Sequence, residues 1–275
     1  MLRLFRPVLT CCLLLTSFQT LLAQAVQARH ACVELLSAQL GPSGQAWLGV
    51  HFSLEKDWHI YWVNPGDSGL PPVLKWQLPP GFKAGEIQWP RPEKLKRSTL
   101  ADYGYEDDVV LLVPLYFPAD LKKGGQAEVR LQAKWLICRE VCIADHAELR
   151  LVAPASAGDT SRSSLLAEAK KRLPNPWPPS WKARASSDKN SFVLSIETGR
   201  PLQTAEFFPL VPQQIENAAT QPLQATARGA KITLTKSDQL LKPIRALKGL
   251  LVLGSGESYQ IQAPIALAPT KADNN

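Results

Sequence analysis

The sequence predicts an all-β protein: two β-sandwich domains joined by a proline-rich linker that carries one short helix. Three observations predict it. Segments such as residues 46–54 (AWLGVHFSL) and 128–135 (EVRLQAKW) place apolar side chains at every second position, the pattern of a strand with one buried face. Loops dense in proline and glycine separate such segments, at residues 64–69 (NPGDSG), 78–81 (LPPG) and 89–92 (WPRP), and short strands between strong turn signals argue for a sandwich. Of the 275 residues, 247 remain once an N-terminal leader of 28 is set aside, a length that suits two domains.

The leader is the first element. Arg3 and Arg6 form a short basic region, residues 8–22 are apolar, and Ala23-Gln24-Ala25 gives an A-x-A cleavage pattern, with a second possible cut after Ala28. That order describes a secretory signal peptide, and the apolar run is short for a spanning helix. Cys11 and Cys12 leave with it. Residues 29–153 then read as the first sandwich, ending in a strand from His146 to Val152. Its longest apolar run, residues 109–117, contains Pro114 and has the length of a strand. Residues 154–184 read as linker. Within it residues 165–173 (LLAEAKKRL) have helical spacing and basic residues near the end, and Pro174 stops them. Residues 174–179 (PNPWPP) form a stiff spacer. From Ala185 the β pattern resumes, with strand candidates at 192–196, 231–234, 247–253 and 259–265, and a second, smaller sandwich is expected over 185–268 before a short tail. It contains neither cysteine nor histidine and is assigned no chemistry.

Composition excludes several function classes. The leader removes two of the 31 basic residues and no acid, leaving 29 against 24, a charge of +5 spread along the chain. A nucleic-acid footprint needs a basic face with recognisable motifs, and the nearest thing to a basic run, residues 94–97 (KLKR), is brief and lies in a proline-rich loop. No G-x-S-x-G, phosphate loop or dinucleotide fingerprint is present. No apolar run after the leader approaches the ~20 residues of a transmembrane helix, so the mature chain is not expected to span a membrane.

The chemistry concentrates in residues 135–143 (WLICREVCI), where Cys138 and Cys142 close an apolar strand. In an oxidising compartment two such thiols form either a structural staple or a redox couple. A loop this short removes little unfolded-state entropy when it closes, so the pair is a poor staple and a reasonable electron carrier. Arg139 beside Cys138 would favour a thiolate and Glu140 would oppose it. The default for both is solvent exposure. Asp67, in a Pro-Gly-Asp-Ser-Gly segment, is expected to bond nearby backbone as a turn residue, with proton acceptance as its functional alternative.

Four separated motifs in order, residues 58–69 (WHIYWVNPGDSG), 76–82 (WQLPPGF), 103–106 (YGYE) and 135–143, together resemble the periplasmic N-terminal region of the DsbD/ScsB family of thiol:disulfide interchange proteins. The resemblance covers most of residues 31–152. Residues 206–209 (EFFP) and 247–252 (LKGLLV) resemble the second β domain of the ScsB-like branch. The resemblance implies immunoglobulin-like sandwiches and a periplasmic location. It also implies a protein-disulfide reductase role: the cysteine pair takes electrons from a membrane donor of the DsbD/CcdA type and passes them to a thioredoxin-fold substrate protein. Cys142 inherits the attacking role, Cys138 the resolving one. Tyr61, Tyr103 and Tyr105 inherit places around the cysteines, with strand-end core packing as the alternative. Residues 91–100 fall where relatives carry a cap over the disulfide, without its acidic and aromatic character. Family members continue into a multi-helix membrane domain and a thioredoxin-like domain that are not found up to Asn275, which implies a stand-alone carrier or adaptor.

Cys32, in a first strand, is the unpaired third cysteine of the mature chain and is expected to be buried and inert, with dimerisation through it as the open alternative. Thiolates select Cu(I), but His30, His51, His59 and His146 show no ligand spacing, and His59 among aromatics reads as a packed, hydrogen-bonded residue. No metal and no organic cofactor are predicted. The competing function class is a non-catalytic binding module whose disulfide pins a hairpin, with the ScsB-like resemblance implying a link to copper stress.

Overall fold

The computed structural model describes residues 25–38, 45–118, 125, 127–154 and 160–266. The basic and apolar parts of the expected leader lie outside these residues. The first part of the chain forms eleven strands: β1 (Val26–Ala28), β2 (Ala31–Ser37), β3 (Gln45–Leu54), β4 (His59–Gly66), β5 (Val73–Gln77), β6 (Lys83–Ala84), β7 (Glu93–Arg97), β8 (Leu100–Glu106), β9 (Asp108–Tyr116), β10 (Ala127–Cys138) and β11 (Cys142–Ala153). One sheet runs β1-β2-β3-β9-β6 and the other β11-β10-β4-β8-β7, with β5 also pairing β10. The two enclose a single core: Val33, Leu35, Val50, Phe52, Leu111 and Val113 from one side, Ile60, Trp62, Leu131, Ala133, Trp135 and Ile137 from the other. The alternation in the sequence is this inward face. The expected sandwich is present.

β1 pairs with β2 through Val26↔Val33 and Ala28↔Ala31. A cut after Ala25 therefore leaves this strand whole, whereas a cut after Ala28 removes it. Cys32 is a free thiol and half-buried, not buried as expected. Period two explains this: Ala31, Val33 and Leu35 face the core, so Cys32 and Glu34 face outward.

The helix α1 (Thr160–Lys171) begins five residues ahead of the 165–173 segment that carried the helical spacing. Its Leu166 and Ala169 pack on Leu36, Val110 and Leu112, the outer face of the first sheet. That docking explains why residues 109–117 are apolar almost without interruption: β9 buries both faces, as strands covered on two sides do. The spacer that follows is also docked. Asn175 bridges to Tyr259, and Trp177 and Trp181 pack on the C-terminal core.

The C-terminal part adds β12 (Lys182–Ser187), β13 (Ser191–Glu197), β14 (Ala205–Pro209), β15 (Leu223–Thr226), β16 (Gly229–Thr235), β17 (Ala246–Leu253) and β18 (Ser258–Ala266). They form one sheet in the order β14-β17-β18-β12-β13-β16-β15, closed around Phe192, Leu194, Ile196, Phe207, Ile232, Leu247, Leu251 and Ile261. Phe208 and Leu250, from its β14 and β17, join the core of the first sandwich instead. The C-terminal sheet is thus packed directly on the first sandwich. Among the described residues no helix is long and apolar enough to cross a membrane.

Candidate functional site

β10 and β11 form one long hairpin in continuous register from Ala127↔Ala153 to Cys138↔Cys142, and residues 139–141 make its turn. The last cross-strand pair is joined as a disulfide. Inward positions of β10 are odd-numbered, so Cys138 projects from the outer face of the sheet. It is nevertheless only 2 % exposed, because β10 there pairs with β4 through Cys138↔His59. Cys142, on the free edge of the hairpin end, is exposed.

Parity decides which neighbours reach the sulfurs. His59 and Tyr61 share the outer face with Cys138, while Ile60 and Trp62 of the same strand point into the core. The Tyr61 hydroxyl lies 3.3 Å from Cys142 Sγ and 3.3 Å from Ser68 Oγ. Ser68 Oγ donates to Asp102 Oδ2 at 2.9 Å, and the Ser68 backbone N–H donates to Asp102 Oδ1 at 2.9 Å. These contacts line up from the exposed sulfur to a buried carboxylate, and while Cys142 is disulfide-bonded the single Tyr61 hydroxyl proton serves either Cys142 Sγ or Ser68 Oγ. Burial raises the Asp102 carboxyl above its ordinary range and the Ser68 bonds pull it back. Burial also raises the Tyr61 phenol, which stays protonated at neutral pH. Gly69 lies on the Tyr61 ring at φ +75°, where an added Cβ would stand 2.1 Å from the ring, so only glycine lets the loop cover the tyrosine.

Tyr103 and Tyr105 lie elsewhere. The pairing Ile60↔Tyr105 puts them on the inward face. Tyr105 is fully enclosed and donates to the Pro90 carbonyl at 2.8 Å, and Tyr103 donates to Asn217 Oδ1 at 3.1 Å. Asp67 accepts from the Ala101 N–H at 2.7 Å and from Asn217 Nδ2 at 2.7 Å. Its carboxylate ties distant segments together and does not touch the sulfurs through any of these bonds. Arg139 is exposed, with its guanidinium 5.3 Å from the Trp58 ring centre. Glu140 is exposed. Residues 91–100 include β7 and the turn into β8, a hairpin at the sheet edge.

From that hairpin Arg97 donates to the Arg139 carbonyl and, at 3.0 Å, to His59 Nδ1. His59 is 1 % exposed. Burial, and secondarily the Arg97 charge, lower its pKa to about 4, so the ring is neutral and accepts from Arg97. A base whose folded pKa lies below its unfolded value of 6.5 contributes full stability above pH 6.5, which is lost as pH falls through 6.5 toward 4. The wild-type protein is expected to lose ~2–3 kcal/mol over that window that a His59→Gln variant does not lose, in urea titrations at each pH. Equal losses in both proteins would remove His59 as the cause.

Sequence reasoning did not single out Ser68, Asp102, Arg97 or Asn217 as site residues. Ser68 sat inside a quoted motif and Asp102 one residue before another, and neither gave a separate signal. Among the described residues no group of three or more His, Cys, Asp or Glu side chains is placed to hold a metal ion.

The family model described as thiol:disulfide interchange protein DsbD, N-terminal, matches residues 24–154. The crystal structure of the N-terminal periplasmic domain of ScsB from Proteus mirabilis superposes with a TM-score of 0.68 at 18 % identity, covering 87 % of this chain and 94 % of that one. That likeness establishes a shared fold, which extends beyond the residues the family model matches. No curated protein matches the chain.

Proposed function

We propose that this chain, whose residues 24–154 match the DsbD N-terminal domain, is a periplasmic thiol–disulfide exchange protein. It relays electrons from a membrane-side donor of the DsbD/CcdA type to oxidised thioredoxin-fold proteins. The observation that carries this reading is the asymmetry of the disulfide: Cys142 is exposed while Cys138 is 2 % exposed. A partner can reach one sulfur and not the other, which fixes where a mixed disulfide would form.

In the reduced state the bonds have a definite direction. Ser68 gives its only hydroxyl proton to Asp102, so Tyr61 must donate to Ser68, and its oxygen is left to accept from the Cys142 S–H. Moving one proton along each bond reverses the chain. Asp102 becomes protonated, and Tyr61 now donates to a Cys142 thiolate. That thiolate attacks one sulfur of the partner's disulfide, forming a mixed disulfide and expelling the partner's second sulfur as a thiolate that takes up a proton. Cys138, as its thiolate, then attacks Cys142 Sγ. This forms the bond Cys138–Cys142 and releases the partner's first sulfur. Two electrons have passed to the partner. Recharging by the donor runs the same steps backward.

The test is the reduction potential of the pair, measured by equilibration with glutathione or thioredoxin buffers. A value above about −250 mV is expected of a carrier, and one below about −300 mV would identify a structural bridge and overturn the proposal.

A further inference from the structure

The segment 64–69, which runs on from the end of β4 and carries Ser68 and Gly69, is held from the C-terminal part of the chain at two points. Asn64 Nδ2 donates to the Pro209 carbonyl at 2.7 Å, while its Oδ1 accepts the Gly66 N–H at 3.1 Å. Asp67 Oδ1 accepts from Asn217 Nδ2 at 2.7 Å, and Asn217 Oδ1 accepts from the Tyr103 hydroxyl at 3.1 Å. Asn217 is 5 % exposed and lies between β14 and β15. The orientation of its amide follows from its partners: a carboxylate only accepts, and the Tyr103 phenol, kept protonated by burial, donates. Tyr103 is in turn fixed by Phe208, with ring centres 5.3 Å apart. Lys94 and Glu206 form an ion pair across the same junction at 3.0 Å.

We propose that Asn217 is a positioning residue for exchange at Cys142: by fixing Asp67 it sets Ser68, the next residue, where Ser68 holds the Tyr61 hydroxyl against the sulfur. This rests on the reading of Cys142 as the exchanging thiol. The C-terminal part of the chain thereby completes a site whose sulfurs it does not touch. The coupling is short. One backbone step separates Asp67 from Ser68, and two hydrogen bonds separate Ser68 from Cys142. A buried side chain whose two functional atoms are both engaged has few alternative positions, so it transmits place without slack. The charged groups facing the chain are Asp67 and Asp102 from the sandwich and Arg97 from the edge hairpin, with Glu206 facing Tyr103.

The test is the pH profile of Cys142 alkylation by iodoacetamide, in a full-length background carrying Cys32→Ser and Cys138→Ser. Asn217→Ala is expected to move the midpoint up by about half a unit, slowing alkylation at pH 7 roughly threefold. Introduced into a Tyr61→Phe background it is expected to move nothing further, because the hydroxyl through which it acts is gone. Asn217→Asp keeps the shape and sets a carboxylate against Asp67. It is expected to shift the profile in the same direction, and it carries the test if the alanine protein folds poorly. A folded Asn217 variant with an unchanged profile, or an equal shift in the Tyr61→Phe background, overturns the proposal. Alkylation needs no redox partner, so this result is independent of whether the pair exchanges with one.

Discussion

Cys138→Ser is expected to accumulate a covalent complex with an oxidised thioredoxin-fold protein, and Cys142→Ser to form none. Only the thiolate is a nucleophile, and the two sulfurs differ in access. Cys138→Ser leaves the exposed Cys142, which attacks and then waits, since the sulfur that would release the partner is a hydroxyl. Cys142→Ser leaves a lone thiol 2 % exposed beneath the pairing with His59. Folding stability does not confuse the comparison. Either variant loses the same cross-link, which closes a loop of about five residues and contributes at most ~2 kcal/mol through unfolded-state entropy. The readout is a band at the summed mass on a non-reducing gel that disappears with dithiothreitol. The opposite pattern would exchange the roles of the two cysteines, and no band from either variant would remove the exchange mechanism.

What the sequence made legible was local. Alternation along residues 128–135 announced β10, and two cysteines four positions apart announced the chemistry at its end, because both signals lie within one hairpin. What it hid depends on pairings between distant segments. Tyr61 and Tyr105 look equivalent as aromatic residues in quoted motifs. Their separation follows from the register Ile60↔Tyr105, which turns one tyrosine outward to the sulfur and the other into the core. Ser68 and Asp102 are 34 residues apart and meet only because the loop after β4 folds over β8. Asn217 reaches Tyr103 across 114 residues and Asp67 across 150, from a region with no chemistry-bearing residue type to mark it. The run at 109–117 had the length of a strand, but what covers it was hidden for a related reason: a strand covered on both faces loses its alternation, and the covering helix begins only at Thr160.

Tyr61→Phe and Asp102→Asn are expected to shift the reactivity of Cys142 in opposite directions, although both break the same chain of hydrogen bonds. Tyr61→Phe keeps the ring that meets His59 edge-on at a 5.0 Å centre distance and that Gly69 covers, so packing is preserved. It removes the hydroxyl that would donate to the thiolate. A hydrogen bond to a charged acceptor contributes about 1.5–3 kcal/mol, and at a half-open site the lower end applies. The alkylation midpoint of Cys142 should therefore rise by about one unit and exchange at pH 7 should slow roughly tenfold. Asp102→Asn retains an acceptor for the Ser68 N–H, but its amide must now donate to Ser68 Oγ. Ser68 then donates to Tyr61, and Tyr61 to the sulfur. The nearby negative charge is also gone. Both changes favour the thiolate, so the midpoint should fall, by about half a unit. A purely structural role for the network predicts shifts of the same sign, because either substitution would only loosen the loop. Opposite signs, read in the same iodoacetamide titration, separate hydrogen-bond direction from packing, and shifts of equal sign would sink the proton chain while leaving the exposed sulfur and its exchange untouched.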